Sequence, residues 1–152
     1  MHLSKISGLT ALALVSTIAF GCGDDEGGGA LSKTEFEKQG NEICKKFETE
    51  SKKLGNPQSI EELPEYADKA LALFDKQLGE LRELEPPKEY KSDFDKLLKT
   101  GDEAKGFIRD LKEAAESKDE KKIAAVGKEA ESRDQTSDEL AQKVGLTECG
   151  QD

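Results

Sequence analysis

The sequence predicts an all-α fold, an antiparallel up-down-up-down four-helix bundle set behind a cleaved leader and a flexible tether. Three observations carry that expectation. Apolar residues recur at steps of three and four along four long stretches. Breaks rich in Pro, Gly or small polar residues separate those stretches. No run alternates apolar with polar residues over a useful length, as a half-buried strand would. Long helices joined by very short loops must run antiparallel to their neighbours.

The first segment is an address. Met1 to Lys5 carries one positive charge, and Ile6 to Phe20 is an uncharged run of mainly apolar and small residues. Its apolar stretch is shorter than the about 20 residues of a membrane span. A basic start, a short apolar run and small residues ahead of a cut read as an export signal. The run ends in Ile18-Ala19-Phe20-Gly21-Cys22. This resembles the lipobox of bacterial lipoproteins, in which a small residue precedes a Cys, with Ala19 in a place more often taken by Leu. The resemblance implies a diacylglyceryl group on the Cys22 thiol and cleavage between Gly21 and Cys22, so that residues 1–21 are a lipoprotein signal peptide. It further implies a chain held to a membrane through Cys22 on the extracytoplasmic face, since two or more acyl chains anchor stably. An ordinary secretory signal with an incidental Cys is the alternative. Residues 22–31 then form the lipidated Cys and a Gly-rich tether, which Asp24, Asp25 and Glu26 keep solvated and extended. Residues 32–152 are left for the bundle.

The first helix opens at Thr34-Glu35-Phe36-Glu37, where a hydroxyl is followed three positions later by Glu, as in a capping box. Its stripe is Phe36, Gly40, Ile43, Cys44, Phe47, Ser51 and Leu54, and Gly55-Asn56-Pro57 stops it. The second opens at Ser59-Ile60-Glu61-Glu62 and tolerates Pro64 near its start. Ile60, Leu63, Ala67, Ala70, Leu71, Phe74, Leu78, Leu81 and Leu84 mark its inner face. Tyr66 and Leu73 broaden that face, so this helix is expected to be the most buried. Glu85-Pro86-Pro87 breaks the chain. The third stripe runs Tyr90, Phe94, Leu97, Leu98, Gly101, Ala104, Ile108, Leu111 and Ala115. Ser117-Lys118-Asp119 turns, with Asp119 as the cap of the fourth helix. The fourth stripe is weaker: Ile123, Val126, Gly127, Ala130, Ser137, Leu140, Ala141 and Val144, closed by Gly145. Glycines at 40, 79, 101, 106 and 127 fall inside helices, where they permit close contact or mark a gap for a ligand.

Spacing matters here because composition alone points the other way. Of 152 residues, 37% are charged and the net charge is -10. Leu, Ile, Val and Phe number 32, of which eight lie in the leader. The remaining 24 make about 18% of the mature chain, a fraction at which disorder becomes common. Their placement on one face of each helix tips the balance back to a folded bundle.

With Cys22 assigned to lipid, Cys44 and Cys149 form an even pair in an exported chain. The bundle topology brings the end of the fourth helix beside the start of the first, and an extended tail from Gly145 to Glu148 would span the rest. A Cys44–Cys149 disulfide is the expectation, two separate thiols the alternative. The Ile43-Cys44 pair and the Gly145-Leu146-Thr147-Glu148-Cys149-Gly150 end resemble a group of small helical bacterial lipoproteins with a Cys near each end of the body. That resemblance implies export and the same pairing, and no activity.

The only His is His2 and the only Met is Met1, both in the leader. The mature chain therefore has no imidazole for a His-containing zinc site, a haem or a Ser-His-Asp triad. The negative charge opposes a nucleic-acid partner, which needs a basic patch. No catalytic residue, metal site or cofactor is expected. The leading expectation is a lipid-anchored, non-enzymatic binding or structural module of the cell envelope, whose partners are the membrane and an envelope protein or ligand. The alternatives are a carboxylate-based hydrolase, with two acids at a set separation, and a metal- or small-ligand-binding bundle.

Overall fold

The computed structural model describes residues 29–150. The signal peptide, the Gly21–Cys22 cleavage site, the lipidated Cys22 and the tether up to Gly28 lie outside the described residues. Four helices make the body: α1 (Lys33–Leu54), α2 (Leu63–Arg82), α3 (Lys91–Glu116) and α4 (Glu120–Lys143). A short 3₁₀ turn, Ile60–Glu62, leads into α2, and a second, Thr147–Gly150, follows α4. The fold is an all-α helical bundle, and no strand occurs among the described residues.

The breaks follow the chemistry expected of them. Gly55 takes φ 69° after α1, Asp119 Oδ1 accepts from the Lys122 amide at 3.0 Å, and Gly145 turns with φ 71°. Two openings differ from expectation. The capping box of α1 is Ser32 with Glu35, two residues before the Thr34–Glu37 pair. Thr34 and Glu37 fit the same pattern, but Glu37 is committed elsewhere: its Oε1 accepts from the Tyr90 hydroxyl at 2.7 Å. At the second opening, Ser59 heads only the 3₁₀ turn and makes no side-chain cap bond, and α2 proper begins one residue before Pro64.

Ion pairs between helices show the direction of each. Lys46 meets Glu80 at 2.8 Å and Glu50 meets Lys76 at 3.0 Å, so α2 numbers fall as α1 numbers rise. Arg82–Asp102 at 2.6 Å, Asp75–Lys105 at 2.7 Å and Asp68–Lys112 at 2.7 Å do the same for α2 and α3. Glu113–Lys122 and Glu103–Arg133 complete the pattern for α3 and α4. These pairs are largely solvated, so each contributes little stability. Their register marks an antiparallel bundle.

One half of the bundle is tightly closed. Phe36 lies between Tyr90 and Phe94, with ring centroids 5.8 and 5.0 Å away, and Leu81, Leu140, Val144 and Leu146 complete that core. No residue of α1 comes within 8 Å of α4, Cα to Cα. The C-terminal 3₁₀ turn packs against both and fills the seam at this end. Leu146, fully buried, presses its Cδ2 onto Gly40, where a β-carbon would collide. Asn41 secures the turn: its Nδ2 donates to the carbonyls of Glu37 and Gly145, and its Oδ1 accepts from the Glu148 amide, all at 2.8 Å. Cys44 and Cys149 are joined as a disulfide with Cα atoms 4.9 Å apart. The tail reaches that position by coiling into a 3₁₀ turn and not by extending.

Candidate functional site

At the other half the seam stays open, and the cause is legible in α4. Between Ala130 and Leu140 the chain reads Glu131-Ser132-Arg133-Asp134-Gln135-Thr136-Ser137-Asp138-Glu139, without one apolar side chain. A helix buries a face only where apolar residues supply one. The middle of α4 cannot fill the interior that α1, α2 and α3 offer it. The result is a cavity of about 400 Å³.

Its walls come from every helix. Phe47 of α1 meets Phe74 of α2 edge to face, with centroids 5.1 Å apart and planes at 76°. Tyr66, Ala70 and Leu78 extend the α2 wall, and Leu98, Ala104, Phe107, Ile108 and Leu111 form the α3 wall. Leu81, Leu97 and Cys149 form the floor, where the cavity meets the closed core. The α4 wall is mostly polar: Arg133, Asp134, Ser137 and Asp138, with Ala130. Arg133 lies over the Phe107 ring, 5.2 Å from its centroid, and pairs with Glu103 and Glu129.

The cavity accounts for part of a departure from expectation in α2, since Tyr66 and Phe74 line it and Leu71 and Leu73 do not. Tyr66, Leu71, Leu73 and Phe74 are half-buried, and α2 buries four residues, no more than α3. Rings that would be sealed in a filled core face empty space instead. The helical glycines divide between close contact and open space. Gly40 and Gly101 take close contacts, the latter with a notional β-carbon 2.6 Å from Leu78 Cδ2. Nothing lies within 4 Å of that position at Gly79, Gly106 or Gly127.

Several carboxylates are held below their usual range: the Arg82 guanidinium holds Asp102 low, Ser32 hydrogen bonds lower Glu35, and Lys76 lowers Glu50. Lys105 is raised by Asp75 and then Asp102, and Tyr90 is raised by burial and by Glu37. All of these lie on ion-pair seams or in the closed end, away from the cavity walls. No buried residue is charged or polar among the described residues, and no group of three or more His, Cys, Asp or Glu is placed to hold a metal ion. No helix among the described residues is long and apolar enough to cross a membrane.

Of the residues singled out in the sequence, Cys44 and Cys149 come together, with Cys149 on the cavity floor. Phe107 lies outside the expected stripe of the third helix, although it stands three residues beyond Ala104 and beside Ile108. Arg133, Asp134 and Asp138 belong by sequence pattern to a solvated face, and only the structure turns them toward the cavity. The chain matches no protein-family model, no curated protein and no solved structure.

Proposed function

We propose that the chain is a lipid-anchored, non-enzymatic binding module on the extracytoplasmic face of a membrane, and that its ligand seat is the cavity between α4 and the other helices. The anchor reading rests on Ile18-Ala19-Phe20-Gly21-Cys22 and the acidic, Gly-rich stretch that follows. The binding reading rests on one observation, an apolar cavity of about 400 Å³ in a small bundle. That volume lies in the range of about 300–1,000 Å³ typical of small-molecule sites. A non-enzymatic role accords with a mature chain that has no His.

The geometry also suits an anchored receptor. The Leu31 amide donates to the Glu85 carbonyl at 2.9 Å, which ties the start of the body to the α2–α3 loop, at the closed end. Phe47 stands 14 residues beyond Lys33, about 21 Å along α1. The cavity thus occupies the half of the bundle away from Leu31.

Two measurements test the two parts. Cells fed labelled fatty acid should label the protein, and Cys22→Ala should abolish the label; an unlabelled wild type overturns the anchor. Residues 29–150 hold all four helices and the Cys44–Cys149 disulfide, so the leaderless chain carrying Cys22→Ala serves for binding. N-phenylnaphthylamine, which fluoresces in apolar surroundings, should bind it saturably with one site, and Ala104→Phe should abolish that binding. A wild-type chain that leaves the probe dark overturns the cavity as a ligand seat.

A further inference from the structure

We propose that the cavity seats one unbranched hydrocarbon chain, the tail of a single-chain amphiphile such as a monoacyl lipid. This rests on the reading of the cavity as a ligand seat and adds the class of ligand. Shape comes first. On α3 the lining runs from Leu97 to Leu111, 14 residues or about 21 Å along the helix axis. On α2 it runs from Tyr66 to Leu81, 15 residues or about 22 Å. A volume of about 400 Å³ spread over that length leaves a mean section of about 19 Å², a column about 5 Å across. A methylene chain meets its neighbours at about 4 Å between carbons and fills a column of that width. An extended chain advances about 1.25 Å per carbon, given a C–C bond of about 1.5 Å, so roughly 16 carbons span the space. A steroid-like body is too broad, and the second tail of a two-chain lipid would be left in water.

The walls suit such a tail. Among the described residues that line the cavity, those of α1, α2 and α3 carry no charge. Two of their polar members are turned to the protein itself: Thr100 donates its hydroxyl to the Leu97 carbonyl at 2.7 Å, and the Gln77 amide donates to Cys44 Sγ at 3.6 Å. A charged group buried among them would lose its hydration and find no counter-charge there. Charged lining residues belong to α4 alone, where Arg133 and Asp134 are exposed and Asp138 is half-buried. Arg133 pairs with Glu103 and Glu129, and both aspartates have interactions inside the protein. This strip sets no sign of charge for a ligand. It supplies a wetted side through which a hydrophilic head can stay in water while the tail is buried. The tail is thus the recognised part.

Length and shape are tested together. The leaderless chain carrying Cys22→Ala is loaded with N-phenylnaphthylamine and titrated with n-alkyl maltosides, whose heads are uncharged, each below its micelle concentration. From octyl to tetradecyl, each added methylene should lower the displacing concentration by about fourfold, as burial of one more CH₂ requires. Progesterone, a rigid neutral four-ring body, should displace the probe no better than octyl maltoside. Ala70 is buried in the wall one turn from Tyr66, at the end away from the floor. Ala70→Leu should cap that end, weakening tetradecyl maltoside by about tenfold or more while octyl maltoside stays within about twofold. The wild-type series decides by itself if Ala70→Leu does not fold. Vesicles of dioleoyl phosphatidylcholine doped with lysophosphatidylcholine identify the source, and protein separated from them should carry the one-chain lipid. A rise that stops at octyl maltoside, progesterone as effective as tetradecyl maltoside, a folded Ala70→Leu chain that keeps its preference for tetradecyl maltoside, or recovery with the two-chain lipid or with neither overturns the one-chain proposal. Each of these leaves the cavity reading standing. Failure of N-phenylnaphthylamine to bind at all overturns the cavity reading, and the one-chain proposal with it.

Discussion

If the polar middle of α4 is what opens the cavity, then restoring one apolar side chain there should close it and stabilise the fold. Ser137 is the position to change. It is half-buried in the cavity wall, and it stands seven residues from both Ala130 and Val144, on the inner stripe. Ser137→Leu replaces a hydroxyl with a branched aliphatic end, roughly three carbons brought out of water at about 0.8 kcal/mol each. Fixing the new side chain opposes this by about 0.5–1 kcal/mol. The net expectation is about 1.5 kcal/mol, which in a body of this size raises Tm by about 5–8 °C. Ser132→Leu is the control, because it makes the same chemical change and the same change in helix propensity at an exposed position. Thermal unfolding followed by far-ultraviolet circular dichroism measures the difference, and N-phenylnaphthylamine titration measures the loss of the site. Equal shifts for both variants, or a less stable Ser137→Leu that still binds the probe, would refute the link between α4 composition and the cavity.

Other expectations follow from the same structure. The disulfide closes a loop with a separation of 105 residues, so Cys44→Ser should lower stability by up to about 4.7 kcal/mol in denaturant titrations. An unchanged midpoint, or two reactive thiols in the unreduced leaderless chain carrying Cys22→Ala, would contradict the pairing. The glycines should respond in opposite directions: Gly40→Ala forces its β-carbon into Leu146 and should destabilise by about 1–3 kcal/mol, whereas the open, exposed Gly127 should tolerate Ala with a gain of up to about 1 kcal/mol. Melting temperatures of the two variants decide this. Stability should also fall at both ends of the pH scale. Asp102, lowered by Arg82, and Glu35, lowered by Ser32, contribute above the ordinary carboxylate range of about 4, and lose that contribution as pH falls through their depressed values. Lys105 and Lys112, raised by Asp75 and Asp68, contribute below about 10.4 and lose it as pH rises through their elevated values. Unfolding midpoints measured across pH should show a broad neutral plateau, and a maximum near pH 3 would contradict it.

The ends of the helices are legible in the sequence because single residues decide them: Gly55, the Pro86-Pro87 pair and Asp119 act on the local backbone whatever surrounds them. The start of α1 is not, because Ser32–Glu35 and Thr34–Glu37 satisfy one local rule equally well. Tertiary structure chooses between them through Tyr90, 53 residues from Glu37. The path of the tail is hidden for the same reason. Its coil depends on Asn41, which a helical pattern ranks as an unremarkable polar residue but which bonds residues 104 and 107 positions away.

The cavity lies between these cases. The weakness of the fourth stripe is visible, but a weak stripe has two outcomes: the helix draws inward and its neighbours repack, or it stays out and leaves a gap. What decides is how firmly its ends are held. At one end Asp119 caps α4 in a short turn from α3 whose Lys118 sits at φ 54°. At the other, Leu140, Ala141, Val144 and Leu146 are sealed into the closed core, and Cys149 is bonded to α1. Pinned at both ends, the polar middle from Glu131 to Glu139 cannot offset the desolvation that moving inward would cost. Nor can α2 and α3 close up from their side, since Leu78 already lies hard against Gly101. The open space is thus a consequence of where this chain places its few apolar residues. It follows that the disulfide and the C-terminal turn do more than stabilise the fold: by holding α4 away from α1 they keep the site open, and cutting Cys44 from Cys149 should weaken probe binding as well as stability.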